Sequence, residues 1–167
     1  MKISDQQLRT DRLVFYAQDV HRLDGELDSF LELSGAKCAL LIDCEGHLVT
    51  RRGEAAASAV DSLSALIAGS FAATRQMAQL LGEEHFNTLF HQGQRESIQI
   101  SLVGNRTLLS IVWDERTNLG LVRFYTQETS KRLEVIFAEF AARPPAADSG
   151  LSDDYSKEAG AALDDLF

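Results

Sequence analysis

The chain carries only two cysteines and two prolines in 167 residues, and it is short of basic side chains, with 16 Lys plus Arg against 25 Asp plus Glu. Each scarcity excludes something. Two thiols, Cys38 and Cys44, are too few to staple a disulfide scaffold, and MKISDQQLRTDRLVF lacks the apolar run of an export signal. Reduced cysteines in a cytoplasmic protein are therefore expected. A net charge of −9 repels phosphate backbones and anionic lipid alike, which argues against nucleic acid as a partner. No apolar run is long enough to span a bilayer, so membrane insertion is not expected either.

Chemistry is also scarce. Neither G-x-x-x-x-G-K-[ST] nor G-x-G-x-x-G occurs, so no nucleotide cradle and no cofactor are expected. Cys38, Cys44 and His47 form C-x5-C-x2-H without a fourth ligand nearby, which reads as buried thiols and a surface imidazole rather than a metal site. His85 and His91 flank Phe86 and Phe90 with no nucleophile at a defined spacing, and read as imidazoles around a packed aromatic pair. Glu83 and Glu84 read as a solvated helix end. No catalytic residues are assigned, and enzymatic activity is not expected.

What the chain does have is the ordinary 45% of hydrophobic residues, arranged with clear periodicity. At this length a domain buries about two-thirds of the surface its unfolded chain exposes. Ala17, Val20, Leu23, Leu27, Phe30, Leu31 and Leu33 keep three- and four-residue spacing, predicting a helix from Tyr16 to Ser34 that Gly35 stops. The preceding LVFY reads as a strand or as the helix's first turn. KCALLID and HLVTRR flank Cys44, Glu45 and Gly46, and D-x-x-G between two β-rich runs predicts a hairpin. A helix then begins near residue 59, capped by Ser58 or Asp61, and ends at Gly82.

FNTLFH is ambiguous between a strand and a turn of helix, whereas SIQISLV and TLLSIVW, joined by Gly104, Asn105 and Arg106, read as a second hairpin. LGLVRFYT is expected to add a third strand to this meander, before a helix through Leu133, Ile136, Phe137 and Phe140 that Pro144 and Pro145 end. The predicted class is α+β: a five-stranded antiparallel sheet with flanking helices, in the order α-β-β-α-β-β-β-α. The domain spans residues 1–143, a linker 144–150, and an acidic amphipathic tail helix 151–167. Such a tail is too short to hold a helix alone in water.

One stretch resists an ordinary reading. LSALIAGSFAATRQMAQLLG, residues 63–82, has helical periodicity but fills its middle with Ala65, Ala68, Gly69, Ala72 and Ala73. Leu63, Leu66, Ile67, Phe71, Leu80 and Leu81 suffice for an inward side, so the bare face is expected to admit a second backbone. Close packing on the chain's own sheet is the alternative.

This helix, followed by FHQG, SIQISLVGNRTLLSIVWDERTNLGLVRF and a terminal LDDLF, resembles the roadblock (dynein light chain type) family over residues 16–142 and again over 153–167. The resemblance implies a homodimer whose sheets join edge to edge and whose central helices lie side by side, forming a platform for a bacterial Ras-like GTPase in its GTP-bound state. It further implies stimulation of GTP hydrolysis without an inserted arginine, in control of cell polarity and motility, with the protein concentrated at a cell pole.

On that resemblance, Ala65, Ala68, Ala72, Arg75 and Gln76 face the partner helix or the GTPase, with Arg116 and Arg123 as charged rim contacts. Arg75 reads as a salt link to the GTPase or a solvated position, ahead of a direct arginine finger. Tyr155, Leu163 and Leu166 supply the apolar side of a second grip by the tail. A scaffold that leaves nucleotide turnover unchanged is the alternative, and a small-molecule sensor a third reading, disfavoured because no convergent polar groups are evident.

Overall fold

The computed structural model describes residues 17–55 and 57–144. The elements, in order, are α1 (Ala17–Ser34), β1 (Cys38–Asp43), β2 (Leu48–Gly53), α2 (Ala57–Leu81), β3 (Thr88–Gln92), β4 (Ser97–Val103), β5 (Thr107–Trp113) and α3 (Leu119–Ala142). The strands form one antiparallel sheet in the order β2-β1-β5-β4-β3. The expected architecture and element order are thus observed. The expected tail lies outside the described residues.

Burial explains the strand sequences. β1 and β5 occupy the middle of the sheet, where both faces are covered, so CALLID and TLLSIVW read as continuous apolar runs rather than alternations. On one face, Ala39, Leu41, Leu109 and Ile111 meet Leu23, Leu27 and Phe30 of α1 and Val122, Leu133 and Ile136 of α3. On the other, Leu40, Ile42, Leu108 and Val112 meet Val60, Ile67 and Phe71 of α2. Fully burying a side chain such as Phe30 or Phe71 contributes about 1.5–3 kcal/mol.

The hairpin at β1–β2 is built around Asp43. Its backbone N–H donates to the His47 carbonyl (2.9 Å), while its Oδ1 accepts from the backbone N–H of Glu45 (2.9 Å) and of His47 (2.8 Å).

One expected strand is corrected. LGLVRFYT is the first third of α3, and the fifth strand is instead β3, from the ambiguous FNTLFH segment. The deciding feature is Asn118, an extended residue whose side chain accepts from the Leu121 backbone N–H (3.1 Å) and starts the helix. From there Val122, Thr126, Thr129, Leu133 and Ile136 continue one buried stripe. A second correction concerns the start of α2: it begins at Ala57, so Ser58 and Asp61 lie inside the helix rather than capping it.

Candidate functional site

The sheet turns α2 so that Val60, Ser64, Ile67, Ala68, Phe71, Thr74 and Ala78 point inward. Two of the polar members satisfy themselves within the helix: the Ser64 hydroxyl donates to the Val60 carbonyl (2.7 Å) and that of Thr74 to Ser70 (3.0 Å). The inward side expected from sequence is therefore corrected. Leu66, Leu80 and Leu81 are exposed, by 68%, 87% and 71%, and Met77 by 50%. A 3.6-residue period allows two arrangements of this leucine-rich helix, and the register of Phe71 against the sheet selects the one that leaves these leucines in water.

The small residues divide into two groups. Ala68 is a correction: it is 6% exposed and belongs to the core under α2, not to an outer contact face. Together with Ala65 it makes room for the β1–β2 turn, because a Cβ added at Gly46 would lie 3.1 Å from the Ala65 Cα and 3.6 Å from the Ala68 Cβ. Gly46 also has φ +97°, so the turn needs glycine on both counts. Gly69 is different, since a Cβ there would meet nothing within 4 Å. Ala65, Gly69, Ala72, Ala73 and Gln76 share the outward, exposed side of the helix, with Leu66, Met77 and Leu80 beside them.

The three arginines do not gather on this face. Arg75 is exposed on a flank of α2, near enough to the β1–β2 turn for its charge to oppose the burial that pushes the Cys44 thiol upward. Arg116 lies in the β5–α3 loop, where its Nε donates to Asp114 (2.9 Å) and its terminal nitrogen reaches Glu54 beyond β2 (3.5 Å). Those hydrogen bonds hold the Asp114 carboxyl below its usual range. Arg123 is on α3, across the sheet from α2. Tyr155, Leu163 and Leu166 lie outside the described residues.

The two cysteines do not converge with His47. Cys38 is buried in the core, with its thiol shifted upward chiefly by burial, and Cys44 is half-buried. The group of potential metal ligands that does form among the described residues is Asp43, Glu45 and His47. Asp43 already spends its oxygens there on the turn's backbone N–H groups and on the His47 Nδ1 (3.0 Å).

A feature missed from sequence lies on the α3 side of the sheet. A cavity of about 610 Å³ separates β3 and β4 from α3, with Gln99, Ser101, Thr126 and Arg123 in its wall. Gln99 and Ser101 look like the solvent face of an alternating strand, SIQISLV, yet are only 2% and 6% exposed. The readable signal is Thr126, a polar residue within the buried stripe of α3.

No helix among the described residues is long and apolar enough to cross a membrane. The Roadblock/LC7 domain profile matches residues 23–112, more than half of the chain. Among curated proteins, none matches by sequence. Among solved structures, Myxococcus xanthus MglB is similar at 32% identity and a TM-score of 0.73, covering 79% of this chain and 98% of that one. The gliding protein MglB from Thermus thermophilus is 34% identical with a TM-score of 0.71, covering 75% and 96%. A structure described as MglB with tetrameric arrangement is 32% identical with a TM-score of 0.71, covering 76% and 96%.

Proposed function

We propose, from the premise that the chain belongs to the Roadblock/LC7 family, that it is a non-catalytic regulator that binds an MglA-like Ras-type GTPase as a homodimer and stimulates its GTP hydrolysis. The observation that carries this reading is the outward side of α2: bare at Ala65, Gly69 and Ala72, lined by exposed Leu66, Met77 and Leu80, and with no intramolecular reason for a glycine at position 69. Bare helix faces permit backbone approach near the lower end of the 8–10 Å interaxial range. Two such helices side by side form a platform. β3 is an edge strand whose outer side pairs with no strand among the described residues, which suits joining of two sheets along β3.

In this reading Ala65, Ala72, Gln76 and the α2 leucines meet the partner helix or the GTPase, while Arg75 makes a charged contact at the flank. The catalytic groups belong to the GTPase, and docking positions them, so that preorganisation is supplied from outside. Tyr155, Leu163 and Leu166 provide a second grip. The process served is cell polarity and motility, with the protein held at a cell pole. A scaffold that binds without altering turnover is the second reading, since the same bare face serves either.

The test is single-turnover GTP hydrolysis by the Ras-like GTPase of the same organism, with this protein in excess and with its Ala72→Arg variant. Acceleration that Ala72→Arg removes, with the fold retained, is expected. Binding without acceleration would replace activation by scaffolding. Arg75→Ala is expected to leave most of the stimulation; a loss on the order of 10³ without lost binding would make Arg75 a direct participant.

A further inference from the structure

Eight large apolar side chains are exposed among the described residues, and only four of them belong to α2. The other four lie on the opposite side of the sheet: Leu33 near the end of α1, and Leu121, Phe124 and Val135 on α3. Leu121, Phe124, Glu128, Lys131 and Val135 keep three- and four-residue spacing, so they form one outward stripe beside the buried stripe of α3.

At its Val135 end the stripe opens into a groove of about 520 Å³ between α1 and α3. The two helices run antiparallel there, tied by Arg22 to Glu139 (2.8 Å) and by Arg132 to Glu26 (2.7 Å). Gly25 lies in the α1 wall, and a Cβ built on it would meet nothing within 4 Å. Glycine within a helix costs about 1 kcal/mol relative to alanine, and no described neighbour accounts for it. His21, Arg22, Lys131 and Arg132 line the groove against one acid, Glu26. The ion pairs that Arg22, Lys131 and Arg132 make are open to solvent and worth about 0–1 kcal/mol each, and their multiple N–H groups leave donors for a further carboxylate.

We infer that the occupant of this face is the chain's own tail, residues 151–167, docked as a helix antiparallel to α3. The tail carries Tyr155, Ala159, Ala162, Leu163 and Leu166 on one side, and residues 144–167 hold six acids against one base. Its length fits: 17 helical residues span about 25 Å, and the stripe from Val135 to Leu121 spans about 21 Å. The linker fits as well, since residues 144–150 reach up to roughly 23 Å and Val135 lies about 10 Å back along α3 from Ala142. Turning back after the linker puts Tyr155 and Ala159 at the end with Gly25 and Val135, and Leu163 and Leu166 over Phe124 and Leu121. Asp153, Asp154 and Glu158 then fall beside Arg22, Lys131 and Arg132. A helix this short is marginal alone, but a short tether holds it at a millimolar effective concentration, so weak docking suffices. The docking does not depend on the GTPase reading. Its regulatory meaning rests on that reading: a tail held here is withheld from its second grip on the GTPase.

The experiment is NMR of the full chain. Helical Cα shifts over residues 151–167 are expected, with NOEs from the Leu163 and Leu166 methyls to the Phe124 ring. Phe124→Ser combined with Val135→Ser changes only exposed positions, and should erase both signals while leaving the shifts of the sheet in place. Random-coil tail shifts in the parent chain, or tail shifts indifferent to the double variant, would overturn the inference. NOEs found only between labelled and unlabelled chains in a mixed sample would overturn docking within one chain and place the tail on a second copy. The double variant should also bind the Ras-like GTPase of the same organism, loaded with a nonhydrolysable GTP analogue, severalfold more tightly, because its tail is already free. Equal binding would overturn the withholding. No GTPase binding by either chain would sink the GTPase reading and leave the docking, read by the NOEs, in place.

Discussion

Replacing Gly69 by alanine should push two measurements in opposite directions. In the single chain, Gly69 lies within a 25-residue helix and a built Cβ touches nothing within 4 Å, so the methyl introduces no clash. Alanine in a helix interior is favoured over glycine by about 0.8–1 kcal/mol. The folded-to-unfolded ratio should therefore rise about fivefold and Tm by about 2–4 °C at this chain length. If a second helix lies against this face, the same methyl stands between two backbones, and overpacking of about 1–3 kcal/mol weakens the dimer by about 5- to 150-fold. Urea denaturation at protein concentrations below the dimer dissociation constant reads the first effect, and sedimentation equilibrium reads the second. A variant with raised stability and unchanged dimerisation would refute close approach at Gly69. A destabilised single chain would refute the intramolecular half.

Ser110, fully buried in the middle of β5, has a hydroxyl without a partner among the described residues, so Ser110→Ala should leave stability unchanged or raise it by up to about 1 kcal/mol in urea melts. Asn118→Ala removes the cap of α3 and should lower stability by about 1 kcal/mol, whereas Asn118→Asp should retain most of it. The Arg116 hydrogen bonds hold the Asp114 pKa down, so their contribution is present above the unfolded carboxyl pKa and is lost as pH falls through the lower folded one. In Arg116→Gln the Asp114 midpoint, followed by carboxyl NMR, should move up toward its ordinary value of 3.8; an unmoved midpoint would show that the guanidinium is not the cause.

The fold was legible where local chemistry and burial agree. CALLID and TLLSIVW are apolar along their whole length because central strands are covered twice, and D-x-x-G joins β1 to β2 because Asp43 can accept from its own turn. LGLVRFYT misleads because its composition is β-rich while its boundary is helical. Composition cannot see that Asn118 caps it or that its Val122 aligns with Leu133 and Ile136 across several turns. The polar cavity was hidden for a related reason. Gln99 and Thr126 are 27 positions apart in sequence, and only the packing of α3 over β4 brings both residues to the wall of one cavity.

The small-residue stripe of α2 shows why residue type alone cannot assign a contact. Five alanines and glycines at helical spacing look like one surface, but a helix distributes neighbours three apart around 300° and neighbours four apart around 400°, so a stripe of this width straddles two faces. The β1–β2 turn claims Ala68, whose Cβ would lie 3.6 Å from a Cβ at Gly46, and this intramolecular demand accounts for its size without any partner. It does not account for exposed Ala65 and Ala72 or for Gly69, where an added Cβ would meet nothing within 4 Å, and these keep company with leucines left in water. A partner is therefore required only by the second group. Substitutions there discriminate between association and folding, whereas enlarging Ala68 would disturb the hairpin whether or not anything docks.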